Sequence, residues 1–285
     1  MDFKYNQTEL DDFIKRGFHE DVREGDHTSL ACIPSDKRDK ARLLVKDDGI
    51  LAGVEIAVQI FKYADPTAEI ELLIKDGTPV KKGDIAFYVT CNAQALLQAE
   101  RLALNTMQRM SGIATMTREY VEVVKDLPVQ ILDTRKTTPL FRMLQKWAVF
   151  IGGGTNYRWG LYDWIMIKDN HIDAAGGVIE AIERVAAYQK SKGLNLNVTV
   201  EVRDLEELHK VLSVGQVTRI MLDNFTADLQ REAVKIINKR FEVEASGGIT
   251  MTTLRAKAET GIDFISIGAL THSNPSLDLS LKIVK

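Results

Sequence analysis

The sequence predicts an α/β protein: an incomplete, TIM-like (β/α) barrel in the C-terminal part, behind a smaller α+β domain. Three observations predict it. First, from Val129 onward one unit repeats, a short apolar strand, a polar tip and an amphipathic helix. Such alternation implies a parallel sheet. Second, residues from Ala93 to Lys125 switch to a 3.6-residue period, with Leu96, Leu97, Leu104, Met107, Met110, Ile113 and Tyr120 on the apolar side, which separates the two parts. Third, no Gly-x-Gly-x-x-Gly follows the first strand of the repeat, which disfavours an open dinucleotide-binding sheet.

In the first part, Thr8 is a candidate N-cap, with Leu10, Phe13, Ile14 and Phe18 at helical spacing and Gly17 marking the end. Residues 20–29 (EDVREGDHTS) are dense in acid and turn formers. They read as a solvated loop, with cation binding as the alternative. Strands are expected at 41–45 and 50–51 around Asp-Asp-Gly, at 68–74, and at 85–89 after a Lys-Lys-Gly-Asp turn, with a helix over 54–63. The 3.6-period run is one long helix, or two broken near Ser111-Gly112, and Arg101 and Arg109 stand out on it as charges.

In the second part the strands are 129–132, 164–167, 198–202, 219–222, 242–245 and 264–267, with helices such as 177–192, 205–212, 227–240 and 252–260 between them. The domains are placed at 1–115 and 116–270, with the tail 271–285 returning to the first.

A net charge of -3 argues against a general nucleic-acid binder, so any strong positive field is local. Cys32 and Cys91 fit neither a zinc spacing nor a disulfide framework and read as reduced structural thiols. The N-terminus is polar, and no run of about 18 apolar residues occurs. A cytoplasmic protein without membrane association is expected.

The strand tips carry the chemistry. Asp133, Arg135 and Lys136 follow the first strand; Lys168, Asp169 and Asn170 the second; Glu201 lies in the third, with Arg203 behind it; Asp223 and Asn224 end the fourth; Ser246, Gly247 and Gly248 the fifth; Gly268 and Ala269 the sixth. A (β/α) barrel builds its active site from these ends. Arg135, Lys136, Arg142, Arg158 and Lys168 suit carboxylates and phosphates. Glu201 and Asp223 suit sugar hydroxyls, a metal ion or a developing cation. The small residues Ser246, Gly247, Gly248 and Gly268 leave backbone N–H groups open for a phosphate. Gly152-Gly153-Gly154 is a second flexible loop or a hinge. Together the tips describe a substrate with carboxylates, a phosphorylated sugar and a cationic transition state.

At these residues the chain resembles the quinolinate phosphoribosyltransferase family. The matching segments are EDVREGDHTS, ERLALNTMQRMSGIAT (100–115), ILDTRKTTP (131–139), the block 152–172, IMLDN (220–224), EASGGI (244–249) and ISIGALTHS (265–273). They run in the family's order over nearly the whole chain.

The resemblance implies condensation of quinolinate with phosphoribosyl pyrophosphate (PRPP) and Mg²⁺, giving nicotinate mononucleotide, pyrophosphate and CO₂ in NAD biosynthesis. It implies an N-terminal open α/β sandwich and a homodimer with a shared active site, or a trimer of such dimers. Arg101 would contact quinolinate in the neighbouring subunit. Arg135, Arg158 and Lys168 would line the quinolinate and PRPP pocket, with Lys136 on the phosphate side. Glu201 and Asp223 would hold the ribose and Mg²⁺-PRPP. Ser246, Gly247, Gly248, Gly268 and Ala269 would seat the 5′-phosphate. Lys136, Lys168, Glu201 and Asp223 are the expected catalytic residues.

Two positions depart from the family pattern. Tyr157 stands where His is common, and it still offers one hydrogen-bond donor. Thr199 stands where an acid is usual. Three rival readings are a Schiff-base lysine at Lys168, a paralogue of the same family in molybdenum metabolism with another substrate, and a non-catalytic binding protein. Retention of the basic set and of Glu201 and Asp223 favours the transferase. His171 and His272 read as structural support.

Overall fold

A computed structural model describes residues 3–284. In chain order the elements are α1 (Gln7–Asp21), α2 (His27–Cys32), β1 (Arg38–Val45), β2 (Gly49–Ile50), α3 (Val54–Ala64), β3 (Glu69–Leu72), β4 (Pro79–Val80), β5 (Ile85–Asn92) and α4 (Ala93–Val124). There follow β6 (Gln130–Leu132), α5 (Arg142–Gly152), β7 (Ile165–Ile167), α6 (Asp169–Ala175), α7 (Val178–Lys192), β8 (Val198–Val202), α8 (Leu205–Val214) and β9 (Arg219–Asp223). The chain ends with α9 (Ala227–Ile237), β10 (Glu242–Ser246), α10 (Met251–Ala258), β11 (Phe264–Ser266), α11 (Ala269–His272) and β12 (Leu279–Ile283). It divides into two compact units. One takes the residues up to Arg118, Thr138–Gly153 and the chain from Ser273 onward; the other takes Glu119–Thr137 and Gly154–His272. No helix among the described residues is long and apolar enough to cross a membrane.

The first unit is built on a four-stranded antiparallel sheet of order β12-β1-β5-β3. β1 alternates exposed and buried residues and sends Ala41, Leu43 and Val45 inward, as a strand with one covered face must. β12 was not read from the sequence. Its Leu-Ser-Leu-Lys-Ile pattern pairs with β1 in the register Leu43↔Leu281, a partner far away along the chain. α1 is capped by Asn6, whose Oδ1 accepts from the N–H of Thr8 at 3.0 Å, rather than by Thr8. It runs through Gly17 to Asp21. The glycine sits close to Leu102, whose Cδ1 would lie 2.7 Å from a β-carbon placed there. Residues 20–29 are not one loop either. They end α1 and, after a turn, start α2, with Asp26 accepting from the N–H groups of Thr28 and Ser29 at 3.1 Å.

α4 is one unbroken helix through Ser111-Gly112. Both residues are fully buried or nearly so, and each answers a neighbour. Ser111 Oγ accepts from the N–H of Ala52 at 2.9 Å and donates to the Ala52 carbonyl at 3.1 Å. A β-carbon on Gly112 would lie 1.9 Å from the Pro275 carbonyl oxygen. α5 was also absent from the sequence reading, because two polar residues, Gln145 and Lys146, are fully buried on it. Gln145 Oε1 accepts from the N–H of Thr138 at 2.8 Å and so fixes the start of the segment that carries the helix.

The second unit holds a six-stranded parallel sheet of order β6-β11-β10-β9-β8-β7. Five of these strands, β7 to β11, stand side by side in sequence order, and the first, β6, pairs with the last, β11, in the register Ile131↔Ile265. That is the cyclic order of a barrel with one seam left open, between β6 and β7. The free side of β6 takes a single parallel bridge from Thr155, whose N–H donates to the Ile131 carbonyl at 2.8 Å. The sheet is therefore curled but not closed by strand pairing, in agreement with an incomplete barrel.

We expect Gly112→Ala to destabilise the protein by about 1–3 kcal/mol, the usual cost of forcing a group into packed backbone. Urea unfolding followed by circular dichroism checks it. An unchanged midpoint would mean that the Pro275 segment yields freely.

Candidate functional site

Side chains alternate across each parallel strand, and the inward set is visible in the contacts. Arg219 at the start of β9 lies under Phe264 of β11 at 3.7 Å, Tyr157 at 4.9 Å and Trp164 beside β7 at 5.1 Å, measured from its guanidinium carbon to the ring centroids. It is 5% exposed. Two residues further along each strand, Met166, Met221, Glu244 and Ser266 form the floor of a cavity of about 510 Å³. The next inward positions are the tips: Lys168, Asp223, Ser246 and Gly268. The intervening outward residues, among them Val200, Leu222, Ala245 and Ile265, are fully buried.

The cavity gathers most of the residues expected from the sequence. Arg135 and Lys136 come from the β6 tip, Arg158 from the strap after Thr155, Lys168 from the β7 tip, Ser246, Gly247 and Gly248 from the β10 tip, and Gly268 and Ala269 from the β11 tip. Glu201 does not line it directly. It is 8% exposed and ion-paired with Lys168. Asp223 does not line it either; it is half-buried at the β9 tip, directly opposite Ser246 in the register. Arg101 belongs to the first unit, exposed on α4. Arg142 sits at the start of α5, in the first unit, and does not line the cavity.

The cavity concentrates positive charge. Arg135 Nε is buried and has no hydrogen-bond partner among the described residues. An unpaired buried donor of that kind is costly unless something else satisfies it. Arg158 donates to the Trp164 carbonyl at 3.2 Å, and burial, followed by the Arg135 charge beside it, lowers its pKa from the ordinary guanidinium value. Two guanidinium groups facing each other across one cavity favour a bound anion. On the β10 side, Gly247 (φ +84°) and Gly248 (φ +62°) adopt left-handed backbone, which side chains disfavour. Among the described residues, no backbone acceptor takes the N–H groups of Gly247, Gly248 or Gly268.

Sequence reasoning missed the support beneath these groups. Asp133, fully buried, accepts from Asn156 Nδ2 at 2.6 Å and from the N–H of Tyr157 at 2.9 Å. It thereby fixes the strap that presents Arg158. Below it runs a hydrogen-bond chain. Trp164 Nε1 donates to Thr199 Oγ1 at 2.9 Å, and Thr199 Oγ1 lies 2.7 Å from the Tyr157 hydroxyl. That hydroxyl bonds in turn to the Glu244 carboxylate. Glu244 also accepts from Ser266 Oγ at 2.6 Å and from Arg219 at 3.3 Å. Burial, then the Glu244 charge, raises the Tyr157 pKa far above the usual phenol range. The Tyr157 hydroxyl is thus engaged by Thr199 and Glu244, and the residue forms part of the cavity wall. No signal in the one-dimensional sequence links residues 157, 199, 219 and 244; strand register alone brings them together. His171 Nδ1 accepts from the N–H of Lys168 at 3.0 Å and caps α6, whereas His272 lines the cavity.

The comparisons with known proteins agree with one another. A family model described as quinolinate phosphoribosyl transferase, C-terminal domain, matches residues 113–282, and one described as its N-terminal domain matches residues 26–111. The chain is 48% identical over 285 residues to the chloroplastic nicotinate-nucleotide pyrophosphorylase (carboxylating) of Arabidopsis thaliana, covering 95% of this chain and 81% of that one. It is 42% identical over 278 residues to the probable nicotinate-nucleotide pyrophosphorylase (carboxylating) of Bacillus subtilis, covering 98% and 94%. The crystal structure of NadC from Streptococcus pyogenes superposes with a TM-score of 0.92 at 36% identity and covers 100% of both chains.

Burial raises the pKa of Glu244 above the ordinary carboxylate value, and the Arg219 charge opposes that rise. We expect Arg219→Met to cost about 3–5 kcal/mol, because it leaves a buried carboxylate unpaired. The cost has a definite pH sign. A carboxyl with a raised folded-state pKa binds its proton more tightly when folded, so stability is present at low pH and is lost as pH rises through that pKa. The deficit of the variant relative to wild type is therefore larger at pH 8 than at pH 5, as urea titrations at the two values would read. A deficit independent of pH would place the cost in lost packing alone.

Proposed function

Because the chain belongs to the quinolinate phosphoribosyltransferase family, we propose that it transfers the phosphoribosyl group of PRPP to quinolinate with decarboxylation, giving nicotinate mononucleotide, pyrophosphate and CO₂, in NAD biosynthesis. The observation that carries this reading is the cavity itself. Arg135, Lys136, Arg158 and Lys168 converge on it together with the glycine-rich tips of β10 and β11, with a buried Arg135 Nε that has no partner among the described residues.

Roles follow from position. Arg135, Arg158 and Lys168 bind the two carboxylates of quinolinate, and Lys136 neutralises the phosphate side. The turn Ser246-Gly247-Gly248, together with Gly268 and Ala269, seats the 5′-phosphate. Glu201 and Asp223 face the ribose. The bond from ribose C1 to the diphosphate breaks with cationic character at C1, which these carboxylates stabilise while the basic side chains receive the leaving diphosphate. The bond from C1 to the ring nitrogen then forms. The ring now carries positive charge. When the adjacent carboxylate leaves as CO₂, its electron pair stays on the ring carbon beside the cationic nitrogen, and that carbon takes up a proton. Lys168 is ion-paired to Glu201, an arrangement that suits anion binding and differs from the dry or like-charged pocket a Schiff-base lysine requires.

A magnesium ion fits these residues in one manner. Among the described residues no group of three or more His, Cys, Asp or Glu side chains stands together as a metal site. Glu201 and Asp223 lie on adjacent strands. Mg²⁺ keeps several waters and takes one or two carboxylates plus phosphate oxygens. It would arrive on the diphosphate of PRPP, where it supplies neutralisation of the leaving group. Arg101, exposed on its helix, completes the quinolinate site of a neighbouring subunit in a homodimer, or in a trimer of such dimers.

The test is an assay with quinolinate, PRPP and Mg²⁺ that quantifies nicotinate mononucleotide and CO₂. Wild type should form both products. Lys168→Ala and Arg101→Ala should each lose about 10²-fold or more in kcat/KM, consistent with removal of a charged contact to the reacting ligand. Arg101→Ala should regain activity when mixed with Lys168→Ala, because a mixed dimer then holds one intact site. Turnover of nicotinate and not quinolinate would overturn the substrate assignment. In the same assay Tyr157→Phe should change the quinolinate KM less than about 3-fold, because the hydroxyl is already engaged by Thr199 and Glu244. A larger rise would mean that the phenol reaches the substrate after all.

A further inference from the structure

The tips of β9 and β10 are joined through Asn224. It follows Asp223 in left-handed backbone (φ +56°), a conformation that asparagine tolerates better than most residues. Its Nδ2 donates to Asp223 Oδ2 at 2.7 Å, and its backbone N–H donates to the Ser246 carbonyl at 2.9 Å. Its Oδ1 would lie 2.2 Å from a β-carbon placed on Gly247, and its backbone nitrogen 2.9 Å from the same point. One short residue therefore touches the carboxylate of one tip and the backbone of the next. From the other side Lys257 Nζ donates to the Phe225 carbonyl at 2.7 Å and tethers the chain just beyond Asn224.

The bonding leaves Asp223 with one oxygen fixed and the other, Oδ1, without a hydrogen-bond donor among the described residues. We propose that Asn224 is a positioning residue that holds Asp223 and the Gly247-Gly248 turn at the separation a ribose 5-phosphate requires, so that hydroxyl and phosphate are gripped together. The proposal deepens the phosphoribosyl-transfer reading and rests on it. A sugar phosphate has a nearly fixed distance between its ring hydroxyls and its phosphate. Two tips that drift independently bind it poorly even when each tip is intact, and pre-setting their spacing is a gain of preorganisation.

Two substitutions separate positioning from general structure. Asn224→Gly keeps the left-handed backbone without strain and the N–H bond to Ser246, and removes the side-chain bond to Asp223 together with the packing against Gly247. Asn224→Asp keeps the shape, loses the donor and sets a second carboxylate against Asp223. We expect both to raise the PRPP KM by about 10-fold or more, Asn224→Asp the more strongly, with the quinolinate KM within about 2-fold of wild type and the Tm within about 2 °C. Titration calorimetry with PRPP and Mg²⁺ should show the same loss without relying on turnover. An unchanged PRPP affinity in the variants, beside a wild type that binds PRPP, would overturn the positioning role alone. So would a parallel rise in both KM values with a fall in Tm. A wild type that binds no PRPP would overturn the phosphoribosyl reading and this inference with it.

Discussion

The structure of the second unit depends on one constraint: a curled parallel sheet has an inside, and each strand can send only alternate residues into it. The inside of this sheet is not apolar throughout. Arg219 is driven into it at the lower end and must be matched there. Three aromatic rings pack against it, and Glu242 and Glu244 accept hydrogen bonds from it. Attraction of a guanidinium to ring faces is worth more when water is excluded, and the carboxylates remove the cost of an isolated buried charge. Once Arg219 and Glu244 are placed, Tyr157, Thr199, Trp164 and Ser266 have defined partners. The cavity floor above them is then rigid, and the tips project from it in fixed directions.

That rigidity matters for chemistry that relies on placed charges. The basic groups around the cavity would repel one another in any loosely held arrangement. They are kept close by the strap after Thr155, which Asp133 clamps at Asn156 and Tyr157, and by the ion pair of Lys168 with Glu201. A donor such as Arg135 Nε, buried with no partner among the described residues, is costly until a ligand takes it. Strain of this kind commonly sits at functional sites.

The tips were legible in the sequence because each lies at the end of a short apolar run, where period and composition change together. Lys168 after Ile167 and Asp223 after Leu222 announce themselves in that way. The incomplete barrel was legible from the same repeat. What remained hidden depends on pairing across distance. The Leu-Ser-Leu-Lys-Ile stretch of β12 looks like any short segment until β1 is beside it. Gly112 reads as a helix breaker until the Pro275 carbonyl is seen to occupy the space of its side chain. Gln145 and Lys146 conceal a core helix because polar residues usually face water. The Tyr157 hydroxyl looked available to a ligand because nothing near it in sequence could take it; Thr199, which also departs from the family pattern, lies against it.

The chain passes between the two units four times, at residues 118–119, 137–138, 153–154 and 272–273. The second of these passages leaves the sheet just after β6, and the third re-enters just before the Thr155 bridge, so the open seam is also the place where the polypeptide departs and comes back. Neither unit is therefore a contiguous stretch of polypeptide. No single cut yields either of them whole, which makes the two poor candidates for reshuffling as separate modules.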